Sequence, residues 1–206
     1  MRDVRFRHHA RVRLGRAPLR VRFDLGLALL AACAALVPAS ARAQVFMTRE
    51  QALAQAFPAA RIERRSFVLG DAELKAVEQA ARTQAGSKLV TAYQAWKGDT
   101  LVGVAFFDSR VVRTMPAVMM ITVAPDSTVR RVDILAFHEP ADYRPTARWL
   151  DQYPRRRLND DLWPDRGIRA LSGATLTTRA VTDATRLALA LYQRVVAPAL
   201  AKRTAP

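Results

Sequence analysis

The sequence predicts an α+β fold: a single domain with an antiparallel sheet, flanking helices and a long C-terminal helix. Three observations predict it. Between Leu89 and Phe137, alternating or continuous apolar stretches follow one another with only short turns between them. Strands joined so closely pair antiparallel, because a parallel crossover needs a dozen residues or more. Towards the end of the chain, Val181, Ala184, Leu187, Ala188 and Leu191 recur at helical spacing. Half of the 206 residues are hydrophobic, which supports a core and excludes a disordered chain.

The elements follow in order. Thr48 with Gln51 reads as a capping box that opens a short helix, which runs through Phe57 and stops at Pro58. Ser66 to Leu69 reads as a brief strand. Gly70-Asp71 opens a helix from about Ala72 to Gln84, with Leu74, Val77 and Ala81 on its apolar face and Gly86 after its end. Leu89 to Trp96 alternates, Gly98-Asp99 turns the chain, and Leu101 to Phe107 returns as a hairpin. Ala117 to Val123 is almost wholly apolar, as expected of a strand buried on both faces. Pro125-Asp126-Ser127 is a turn, and Val129 to Phe137 alternates again. From His138 to Arg169 the chain is polar and Pro-rich, with Trp149, Leu150 and Tyr153 as one face of a short helix. The final helix is expected from about Thr178 to Ala199.

The first 43 residues form a different kind of segment. Eight arginines from Arg2 to Arg22 precede a charge-free apolar run of 13 residues, Leu25 to Val37, and Ala41-Arg42-Ala43 follows. A basic region, a short apolar run and an A-x-A site are the pattern of a signal peptide, and the run is short for a membrane span. The expected organisation is therefore a signal peptide over 1–43, an N-terminal helical extension over 44–88 and the main domain over 89–200. Leu30-Ala31-Ala32-Cys33 also fits a lipoprotein box that would acylate Cys33, and an uncleaved anchor is the third possibility. Each places the body outside the cytoplasmic membrane, in the periplasm or on the extracytoplasmic face.

Export changes the meaning of the charge. The chain carries 33 Lys and Arg against 18 Asp and Glu, a formal +15. Nine of those Arg and two of the Asp lie in the first 43 residues, leaving a body of +8. Such a surface suits an acidic partner or an anionic membrane face; nucleic acid is not an expected partner of an exported chain. The single cysteine excludes an internal disulfide framework and a multi-thiolate zinc site.

Familiar catalytic arrangements are missing. His8 and His9 belong to the leader, so His138 is the body's one histidine, and no G-x-S-x-G elbow accompanies it. Asp160-Asp161 and Asp165 are the only carboxylate cluster, a pattern more typical of a solvated loop. No catalytic residue and no metal ligand is assigned.

The distinctive segment is Ser172-Gly173-Ala174-Thr175-Leu176-Thr177-Thr178-Arg179. Small residues allow close backbone approach, the threonines supply hydroxyls, and a helix N-terminus beside Arg179 attracts an anion such as phosphate. The plainer alternative is that Thr177 or Thr178 merely caps the helix.

Here the sequence resembles a family. Ser172-Gly173-Ala174-Thr175 followed by Leu-Thr-Thr is similar to the S-G-A-T-x-[ST] signature of the FMN-binding domain. That domain occurs in extracytoplasmic flavin subunits of Rnf- and Nqr-type complexes and in small exported relatives. His138-Glu139-Pro140 resembles the family's His-Glu-Thr-Pro segment, and Trp149-Leu150-Asp151-Gln152-Tyr153 its aromatic-x-x-Gln-aromatic step. The resemblance spans roughly Leu89 to Tyr192.

The resemblance implies FMN attached by a flavin transferase through a phosphoester to Thr175, with Ser172, Gly173 and Ala174 shaping the turn. It brings Leu176, Thr177, Thr178, Arg179, His138 and Glu139 to the cofactor site as well. It offers Tyr143, Trp149, Tyr153 and Met115 to pack the ring. It implies an exported electron-transfer flavoprotein, rather than a stand-alone enzyme, working between a membrane redox protein and a periplasmic acceptor. A flavin-free accessory subunit of such a complex is the alternative. Two departures stand out: Arg169 occupies the position where transferase targets carry Asp, and Ala141-Asp142-Tyr143 replaces a Gly-rich stretch.

Overall fold

A computed structural model describes residues 44–204, with side chains from 45 to 203. The expected signal peptide, the Cys33 lipobox, His8 and His9 lie outside the described residues. Among the described residues six strands form one sheet: β1 (Gln44–Val45), β2 (Arg61–Val68), β3 (Leu89–Lys97), β4 (Thr100–Val111), β5 (Pro116–Val123) and β6 (Val129–Phe137). Their order is β1-β6-β5-β4-β3-β2, and every pairing is antiparallel. The helices are α1 (Arg49–Ala56), α2 (Asp71–Ala81), α3 (Ala147–Leu150), α4 (Thr175–Leu191) and α5 (Ala197–Thr204). A π-helical stretch, Tyr192–Val196, joins α4 to α5 into one long C-terminal element. The expected α+β class with its antiparallel sheet and long final helix is borne out.

Each face of the sheet has its own core. On one face Val90, Ala92, Val104, Phe106, Met119, Ile121 and Val123 meet Val77 and Ala81 of α2 and Val181, Ala184, Leu187 and Leu191 of α4. On the other, Tyr93, Ala95, Ala105, Met120 and Leu135 meet Ala52, Leu53 and Ala56 of α1 and the adjoining Phe57. Strand β5 feeds both, which is why its sequence is apolar throughout rather than alternating. Gly103 leaves room for α1: a Cβ there would stand 2.8 Å from the Phe57 ring and 3.1 Å from the Val123 carbonyl.

Several boundaries differ from expectation for physical reasons. β2 begins at Arg61, five residues early, because it is the outer edge strand and its arginines can face solvent. The segment expected as a helical extension, 44–88, thus contributes two strands to the sheet as well as two helices. Helix α2 ends at Ala81, where Arg82 adopts a left-handed φ of 56°, so the stop comes before Gly86. The capping box of α1 is as read: Thr48 accepts from the Gln51 N–H and Gln51 accepts from the Thr48 N–H.

Candidate functional site

The site forms where the start of α4 meets the β4–β5 turn. Leu171-Ser172-Gly173-Ala174 is a tight turn closed by an Ala174 N–H to Leu171 carbonyl bond of 2.9 Å. Gly173 sits at φ 74°, a left-handed value that glycine adopts without steric cost. Helix α4 then opens at Thr175, three residues before the expected start. Its N-cap is Ala174, which has no side-chain oxygen, and no side chain caps the helix. The first N–H groups of any helix lack intrahelical acceptors. Here they belong to Thr175, Leu176 and Thr177, and the backbone leaves them pointing at whatever lies before the helix.

The threonines expected as caps are engaged elsewhere. Thr178 accepts from the Leu171 N–H at 2.8 Å and donates to the Ala174 carbonyl at 3.3 Å. Thr177 donates to the Tyr143 carbonyl at 2.8 Å. Both are buried, so each holds the turn together from inside. Thr175 and Ser172 carry the exposed hydroxyls of the segment.

Behind the turn, two side chains grip the backbone of Arg169. Gln152 accepts the Arg169 N–H at 2.8 Å and donates to its carbonyl at 3.4 Å. Trp149 donates its indole N–H to the same carbonyl at 2.9 Å. Trp149 stands edge-on to Tyr153 at 5.5 Å, and the buried Tyr153 hydroxyl meets the Thr182 hydroxyl at 2.8 Å. Burial pushes the Tyr153 phenol well above its ordinary range, so it stays neutral. Trp149 and Tyr153 therefore anchor the loop rather than lining the opening.

The opposite wall is the β4–β5 turn, which Glu139 holds from behind. The Glu139 Oε1 accepts backbone N–H bonds from Arg113 at 3.0 Å, Thr114 at 2.6 Å and Met115 at 2.8 Å. These bonds, that of Thr114 foremost, hold its carboxyl below the usual glutamate range. Glu139 thus shapes the β4–β5 turn, and the oxygen that makes these bonds is committed to backbone. His138 donates its backbone N–H to the Pro116 carbonyl at 3.1 Å.

Between the walls lies an open hollow of about 310 Å³, lined by Val112, Arg113, Tyr143 and the run from Gly173 to Thr177. The Arg113 guanidinium lies 4.9 Å from the centre of the Tyr143 ring. Leu176 (50% exposed) and Met115 (41%) add apolar surface to the two segments. Of the expected residues, Gly173, Ala174, Thr175, Leu176 and Thr177 line the hollow, as does Tyr143. Ser172 lies on the outer turn and Thr178 beneath it. Arg179, one turn along α4, His138 and Glu139 are not among the lining residues. Sequence reasoning does not find Val112 and Arg113; the break between two strongly apolar strands is their only signal. Among the described residues, no group of three His, Cys, Asp or Glu side chains could hold a metal ion.

Residues 115–190 match the family model of the FMN-binding domain. The resemblance read from the sequence is borne out. The matched stretch runs from the β4–β5 turn to the end of α4, so it contains Glu139, the Trp149 and Gln152 clamp and the whole Ser172–Thr178 segment. It starts later than the Leu89 expected. No curated protein matches the sequence. Among solved structures, the crystal structure of Shewanella oneidensis NqrC aligns with a TM-score of 0.48 and 17% identity, covering 75% of this chain and 90% of that one.

The residues present fit an FMN phosphate. A helix start with no side-chain cap offers amide donors, Arg113 offers a cation, and Thr175 offers an accessible hydroxyl. Val112, Tyr143 and Leu176 offer apolar contact for a ring. Bound there, the flavin would supply one- and two-electron redox chemistry, while the protein supplies position and electrostatics.

Proposed function

We propose that this chain is an exported flavoprotein that carries FMN on Thr175 and passes electrons between a membrane redox protein and an extracytoplasmic acceptor. The observation that carries the reading is the exposed Thr175 hydroxyl at the first position of a helix that lacks a side-chain cap, inside the matched FMN-binding stretch. Attachment there would bring the phosphate to the place where the α4 amides need an acceptor. The covalent tether suits a compartment in which a dissociated cofactor is lost.

The chain's own residues divide the work. Thr175 holds the phosphate, and the amides of Thr175, Leu176 and Thr177 together with Arg113 balance its charge. Tyr143 and Leu176 limit water at the ring. Thr178, Trp149 and Gln152 keep the turn in shape, and Glu139 fixes the loop that presents Arg113. Arg169 stands where transferase targets carry an acid, an observation that favours the alternative of a flavin-free accessory subunit.

One experiment separates the two. The chain is co-expressed with a flavin transferase shown active on another target, denatured, and examined for in-gel flavin fluorescence and a mass increase of one FMN. The expected result is both signals in the parent and neither in Thr175→Ala, which keeps the same circular dichroism. A parent without the adduct selects the accessory reading. An adduct that survives Thr175→Ala moves the acceptor to another hydroxyl, with Ser172 the next exposed one.

A further inference from the structure

A second hollow lies at the far edge of the sheet, where the end of α5 crosses β2 and β3. It measures about 390 Å³ and is lined by Arg65, Phe67, Gln94, Leu200, Lys202 and Arg203, with Ala199. One lining residue and one neighbour outside the lining set it apart from ordinary surface. Gln94 is a polar side chain only 3% exposed, and its Oε1 has no hydrogen-bond partner. Two residues along β3, Trp96 is also buried, its indole N–H is equally unpartnered, and its ring lies 5.3 Å from the Arg203 guanidinium. Buried polar atoms are nearly always satisfied by protein, water or ligand, so two on one strand face call for an explanation.

The rim supplies the rest of the chemistry. Arg65, Lys202 and Arg203 are cations, and Arg61 continues the row along the same face of β2. Glu63 is the acid of this group: it pairs with Arg61, with Arg203 at 2.9 Å and with Arg65 at 3.9 Å. The balance is clearly positive.

We propose that this hollow is a phosphate-ester site, with Arg65, Lys202 and Arg203 on the phosphate and the Gln94 amide on a neighbouring hydroxyl. An anionic phospholipid headgroup and a free organic phosphate share that chemistry. With a lipid, the β2 edge lies against the bilayer surface. The site uses none of the residues around Thr175, so it stands or falls independently of flavin attachment.

The test uses the chain without its first 43 residues, as expected after export, and two probes. Flotation is measured with vesicles of phosphatidylcholine alone and with added phosphatidylglycerol. The Gln94 side-chain amide and Trp96 indole signals are followed by NMR while glycerol 3-phosphate is added. The proposal expects both signals to move with the phosphate probe, the vesicles or both; vesicles alone identify a lipid, the soluble ester alone a free phosphate. Arg65→Gln, Lys202→Gln and Arg203→Gln together should weaken vesicle binding by about a hundredfold, at roughly fivefold per cation near an anionic surface. Arg148→Gln, Arg155→Gln and Arg157→Gln, an equal change of net charge elsewhere, should leave it almost unchanged. Gln94→Leu should weaken binding while leaving the fold at least as stable, because it removes an unpartnered buried group. Equal losses in the two triple variants, or Gln94 and Trp96 signals that respond to neither probe, would overturn the proposal and leave a buried water as the explanation.

Discussion

Helix α4 carries two polar regions about three turns apart, and they are built on opposite principles. At its start, Ala174 cannot cap, Thr175 is exposed and the first amides lack a side-chain acceptor. Near its end, Arg186 is only 2% exposed, and its donors reach the carbonyls of Ala81 at 2.7 Å, Asn159 at 2.8 Å, Leu162 at 2.9 Å and Ala80 at 3.5 Å. Its guanidinium also lies 4.8 Å from the Trp163 ring. The acceptors Arg186 takes at Ala80 and Ala81 are carbonyls at the C-terminal end of α2, which a cation complements. A buried charge answered at all three of its nitrogens ties α2, the 159–162 loop and α4 together. An unanswered helix start leaves room for something from outside. Polarity alone does not mark a site; polarity without internal partners does.

The largest effect should come from breaking the answered region. Arg186→Leu strands several buried carbonyls and removes the link between α2 and the 159–162 loop. We expect a loss of about 3 kcal/mol or more by urea denaturation. Where the variant still folds, the mass of the Thr175 adduct should be unchanged. An Arg186→Leu protein as stable as its parent would show that the knot is decorative.

Next in size are the side chains that hold the open region in shape. Gln152→Ala removes both bonds to the Arg169 backbone and should cost about 1–2 kcal/mol. Its more telling effect is on the rate of flavin attachment, which should fall while Arg169→Ala, with the same backbone held, attaches at close to the parent rate. A slow Arg169→Ala beside a normal Gln152→Ala would instead place the recognition in the arginine side chain.

These residues also show what the sequence can and cannot disclose. Strands β3 to β6 are legible because their alternation, or the continuous apolar run of β5, follows directly from which faces are buried. The first five residues of β2 are not, because an edge strand of arginines looks like a loop. The Ser172–Thr175 turn is legible from its small residues. The start of α4 is misplaced in the sequence reading because the helix begins without a capping side chain. Trp149 stands out in the sequence as a ring-packing candidate, yet it and Gln152 clamp the Arg169 backbone. That partner lies 17 to 20 residues away, and no local pattern encodes the contact. Glu139 likewise reaches back about 25 residues to backbone amides, which carry no sequence signature at all.

The smallest expected effect tests Glu139, and pH gives it a sign. The folded carboxyl titrates below its ordinary value because the backbone N–H groups of Thr114, Met115 and Arg113 favour the anion. A carboxylate with a depressed folded pKa contributes stability that is fully present above the unfolded value and lost as pH falls through the folded one. Stability measured from neutral pH down into the acid range should therefore decline more in the parent than in Glu139→Gln, so that the two curves converge. At neutral pH, Glu139→Gln should be less stable by about 1 kcal/mol, since an amide oxygen still accepts from the turn but without the charge. Curves that stay parallel would mean that the charge contributes nothing, and that the β4–β5 turn holds Arg113 at the hollow through neutral contacts alone.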